Sequence, residues 1–73
     1  MKKDWMNIFS TTQLFEANVI EALLRDNDIP ATILNKQDSA YGVLLPGKVE
    51  IYIPSEFEKA AKEIINEGLA QLN

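Results

Sequence analysis

The stretch from Val49 to Glu58 limits the fold more than any other part of the chain. Val49, Ile51 and Ile53 alternate with Glu50 and Tyr52, the period of a strand with one face on a core. With no spacer, Pro54-Ser55-Glu56-Phe57-Glu58 then signals a helix start. Ser55 as N-cap and Glu58 three residues on make a capping box, in which hydroxyl and carboxylate each satisfy an amide that the helix leaves free. Beyond it Phe57, Ala60, Ala61, Ile64, Ile65 and Gly68 fall on one side of the helix. Glu58, Lys59, Lys62, Glu63 and Glu67 fall on the other, so this helix has a single face to bury.

The preceding part of the chain supplies what these elements pack against. Trp5 to Phe9 is aromatic and apolar, and too short between polar flanks for a helix, so it is predicted as the first strand. Strict alternation places Met6 and Ile8 on one side and Trp5 and Phe9 on the other. Ser10-Thr11-Thr12 offers three candidate caps for a helix predicted from about Gln13 to Asn27. That helix has two apolar stripes, Ala17, Ile20, Leu23 and Leu24 in one and Phe15, Val19 and Ala22 in the other, so more than one surface is needed to cover it. Asp26-Asn27-Asp28 ends it, Ile29-Pro30 favours extended chain, and Ala31 to Asn35 reads as a second strand.

Residues 1–73 are therefore expected to form a single α+β domain of order β-α-β-β-α, a ferredoxin-like split arrangement. Its antiparallel sheet carries two helices on one face. Only Leu69 to Asn73 remain for the usual fourth strand, which is expected to be absent or vestigial, leaving at least one strand edge exposed.

Composition then removes whole classes of chemistry. There are no cysteines and no histidines, so there is no thiol nucleophile, no disulfide, no thiolate metal site and no imidazole base. Carboxylate pairs (Asp26 with Asp28, Glu56 with Glu58) flank helix ends, where acids belong in any case. No catalytic residue, no metal site and no cofactor is expected, and the chain is read as a non-enzyme. A net charge of -4, with basic residues scattered singly apart from Lys2-Lys3, argues against nucleic acid and against an anionic membrane surface. The run after Lys2-Lys3 is too broken by polar residues for a signal peptide, and a cytoplasmic location is expected.

Two candidate sites are left. The sheet face away from the helices should carry Trp5, Phe9, Tyr52 and Leu34, an interface for self-association or for a protein partner. Phe15 and Val19 belong to the second stripe of the first helix and are candidates for the same role. The alternative is a sensor of a small metabolite or nucleotide, built on the Lys36 to Lys48 connection, which is long for a hairpin. Lys36, Asp38, Ser39 and Tyr41 would supply charge, hydrogen bonds and a ring, and Thr11 and Thr12 would stand beside free helix amides suited to an anion. An ordinary wide hairpin and ordinary capping account for the same residues without a ligand.

The run Glu16-Ala17-Asn18-Val19-Ile20-Glu21-Ala22-Leu23-Leu24-Arg25-Asp26-Asn27-Asp28-Ile29-Pro30-Ala31 resembles the first half of a family of short bacterial proteins. Val49-Glu50-Ile51-Tyr52-Ile53-Pro54, followed by Glu58-Lys59-Ala60, resembles its second half. The family is described as putative prokaryotic signal-transducing proteins, a label that rests on similarity to nitrogen-regulatory PII-type proteins. The resemblance implies a PII-like, ferredoxin-like fold and a regulatory role, with no catalytic signature. Two departures stand out. Family members commonly have glycine where this chain has Asp28, and the Lys36 to Lys48 connection is shorter than the PII nucleotide loop and has no basic cluster.

Overall fold

The computed structural model describes residues 4–35 and 48–72. Within them the chain runs β1 (Trp5–Thr11), α1 (Leu14–Asp26), β2 (Thr32–Asn35), β3 (Val49–Pro54), a 3₁₀ turn (Ser55–Phe57) and α2 (Glu58–Leu72). This is the expected β-α-β-β-α order, with the strands in one antiparallel sheet of order β1-β3-β2. The last strand of the sequence thus lies in the middle, between two strands linked through α1. Among the described residues there is no fourth strand, so β1 and β2 are both edges.

Both helices cover the same sheet face. Val49, Ile51 and Ile53 of β3 are fully buried there, against Ala17, Ile20 and Leu24 of α1 and Ala61 and Ile65 of α2. Each of the buried valine, isoleucine and leucine side chains contributes about 1.5–3 kcal/mol when removed from water. The helices also touch each other closely. A Cβ on Gly68 of α2 would collide with Cδ1 of Leu23 on α1, so the missing side chain lets the two backbones approach.

The end of α1 explains one departure noted in the sequence. Ile29 N–H donates to Leu24 O (2.9 Å) and Asp28 N–H to Arg25 O (3.0 Å), while Asp28 adopts φ 63°. This is a Schellman closure, whose left-handed residue is usually glycine because a Cβ is disfavoured there. A short polar side chain tolerates that conformation better than most. The buried Ile29 and Leu24 supply the apolar contact that accompanies such closures. Arg25 then fastens the turn, donating from Nη2 to Ala31 O (2.7 Å) and pairing with Glu21 (3.3 Å).

Three local expectations need correction. The strand predicted to end at Phe9 continues to Thr11, so the cap position of α1 falls on Gln13, which makes no side-chain capping bond. The Ser55–Glu58 capping box does not form, because a 3₁₀ turn precedes α2. Ser55 N–H donates to Asp4 O (2.6 Å), extending the β1–β3 ladder, and Glu58 pairs instead with Lys62 (2.9 Å).

The third correction concerns alternation in β1. The β1–β3 register shifts between Asn7 and Phe9: Asn7 faces Tyr52, whereas Phe9 faces Ile51. Ile8 is the extra residue of a β-bulge, and everything after it changes face. Phe9 therefore turns towards the helices and packs against the core together with Met6 and Ile8. It does not share the outer face with Trp5.

Candidate functional site

The sheet face that the helices leave uncovered is set by register. Paired residues in an antiparallel sheet point the same way, so three cross-strand rows can be read off β3. Trp5 lies beside Pro54, Asn7–Tyr52–Thr32 form the middle row, and Ser10–Glu50–Leu34 form the next. Trp5, Glu50 and Tyr52 are half-buried, and Leu34 stands 46% exposed at the edge.

The polar members of this face are tied to one another. Tyr52 Oη donates to Glu50 Oε1 (3.0 Å), and Ser10 Oγ donates to Asn7 Oδ1 (3.1 Å). The Asn7 amide donates to Phe9 O (3.1 Å) and to Ile51 O (3.3 Å), bridging the place where the bulge interrupts the ladder. Among the described residues this face carries two rings, one exposed leucine, hydroxyls and a single carboxylate, with no cation in its rows.

The remaining sequence candidates are dispersed. Thr11 lies at the end of β1, where its hydroxyl accepts from Gln13 N–H (3.0 Å) and donates to Glu16 Oε1 (2.6 Å). The start of α1 is thus served by the chain's own hydroxyl and carboxylate, and Thr12 lies exposed between strand and helix. Phe15 is 73% exposed and Val19 half-buried on α1, on the helix side of the sheet and away from Trp5 and Tyr52. Lys36, Asp38, Ser39 and Tyr41 lie outside the described residues. Strict alternation puts Asn7 on the outer face with Trp5 but misses the contribution of Ser10. The signal for it is the bulge itself, and Asn7 is the residue that stabilises it.

Among the described residues no group of carboxylates is arranged to hold a metal ion, and no helix is long and apolar enough to cross a membrane. Over residues 5–68, from β1 through most of α2, the chain matches the model of a family described as "putative prokaryotic signal transducing protein". No curated protein and no solved structure matches it.

Proposed function

The chain belongs to the family described as putative prokaryotic signal transducing proteins, and from that premise we propose that it is a non-enzymatic regulatory module of the cytoplasm that works by binding another protein. The observation that carries this reading is the sheet face that neither helix covers. Trp5 and Tyr52 stand there as half-buried rings on a frame of mutually bonded polar groups. Rings of this kind give large contact area at low entropy cost, and they dominate the energetics of protein interfaces. The absence of His and Cys from the sequence supports a role in holding rather than in chemistry.

Charged substitutions on the face test the reading. Tyr52→Lys and Trp5→Glu, checked for retained fold by circular dichroism, should each lose a protein that the wild-type chain captures. Equal capture by all three would count against the outer face. A thermal-shift panel of metabolites and nucleotides runs alongside, because any ligand that prefers the folded state raises its melting temperature. No shift is expected. A rise of several degrees with one compound would move the reading to a small-ligand sensor.

A further inference from the structure

We infer that the chain also pairs with a second copy of itself, joined edge to edge through β1, so that two three-stranded sheets become one continuous antiparallel sheet. This rests on the reading of the protein as an interaction module and gives that module a second contact, at the sheet edge rather than on the outer face. The outer edge of β1 pairs with no described strand. Of the devices that guard natural edge strands, namely charge, proline, shortness and bulges, β1 has only the bulge at Ile8. The other edge, β2, is only four residues long, whereas β1 has seven and contains neither a charged residue nor a proline.

Beside this edge lies a groove of about 320 Å³ between β1 and α2, lined by Ile8, Phe9, Ile65 and Leu69 with Lys62 and Asn66 at its rim. The bulge helps to make it, by placing both Ile8 and Phe9 on the helix side. An incoming strand that pairs with β1 lays its inward side chains into this groove. The occupant that fits is uncharged, apolar on one face and extended, and β1 itself has those properties.

Charge selects the same occupant. The chain carries a net -4, yet no charged residue occurs from Trp5 to Phe15. Two copies brought together by their helices would oppose Glu63 and Glu67, both exposed on α2, and like charges repel. Two copies meeting along β1 oppose only neutral side chains. At the groove rim Lys62 is already paired with Glu58, so the entrance offers no bare cation to attract an acidic peptide. A two-fold axis across β1 gives an isologous contact, which closes at the dimer.

The sequence lacks cysteine, so a single introduced thiol reports the contact cleanly. Light scattering of the wild-type chain at high micromolar concentration should give twice the 8.2 kDa chain mass. With the two-fold axis at Ile8, Ile8→Cys should form a disulfide-linked dimer under mild oxidation, while Ser10→Cys and Thr32→Cys should remain free of cross-links. Ile8→Lys should shift the mass towards the monomer and raise the dissociation constant at least tenfold. Should that variant unfold, the cysteine pattern in otherwise native chains still decides. A monomeric wild type overturns the inference, and so does a dimer that cross-links at Thr32 but not in β1. If Tyr52→Lys nonetheless abolishes capture of a different protein, the interaction reading survives with another partner.

Discussion

Strands β3 and β1 lie side by side in one sheet, yet they use their residues in different ways. In β3 the alternation is unbroken: Val49, Ile51 and Ile53 are fully buried, while Glu50 and Tyr52 face outward. In β1 it breaks at Ile8, and Met6 and Phe9, three positions apart, face the same side. The central strand is held by neighbours on both sides and by two helices above, so no register other than the observed one keeps its core. The edge strand has one neighbour, and can take in an extra residue by bending. Tolerance for irregularity thus follows position in the sheet rather than composition, since both strands are rich in apolar and aromatic residues.

Deleting one residue from each strand tests this directly. Without Tyr52, Ile53 would be turned out of the core, because a shift of one residue reverses every side chain beyond it. The cooperative urea transition followed by circular dichroism should vanish, a loss of the whole stability of a small domain, on the order of 5 kcal/mol. A smaller perturbation of the same strand, Ile51→Ala, leaves a cavity beneath both helices and should cost about 3 kcal/mol in the same assay. Deleting Ile8 should instead convert the bulge to a regular ladder. The expected loss is about 1.5 kcal/mol, the contacts of one partly buried isoleucine, with the Phe9–Ile51 cross-strand contact still visible by NMR. If that contact disappeared, the bulge would be a requirement of the fold rather than an accommodation. The mildest change is Asn7→Ala, which removes the amide bridging Phe9 O and Ile51 O. It should cost about 1 kcal/mol, with faster hydrogen exchange confined to the β1–β3 junction.

The same contrast explains what could be read from the sequence. The β3 pattern, the α1 stripe of Ala17, Ile20 and Leu24 with Leu23 partly buried beside them, and the α2 face of Ala61, Ile64, Ile65 and Gly68 are dictated by periodicity and found where periodicity puts them, whereas Ala60, expected on that face, is exposed. Periodicity also puts Trp5 and Tyr52 on the uncovered face. A bulge leaves no periodic trace, because one inserted residue looks like ordinary sequence, and strict alternation therefore puts Phe9 on the wrong side. The capping box was misleading for a related reason. Its residues fit the pattern, but the amide of Ser55 was claimed by Asp4 across the sheet, a bond no local motif reveals. The hydrogen-bonded frame of the outer face is not legible in the sequence, because it depends on which residues the bulge brings together.

The turn after α1 holds a residue whose backbone has the opposite handedness from the helix it ends, Asp28 at φ 63°. For an L-residue that region is an imposition, but for its mirror image it is the natural helical basin. At 73 residues the chain is within reach of chemical synthesis. A single D-amino acid placed at position 28 should therefore be accepted without rearrangement and should raise the melting temperature. At neighbouring Asn27, whose φ is -104°, the same inversion should lower it.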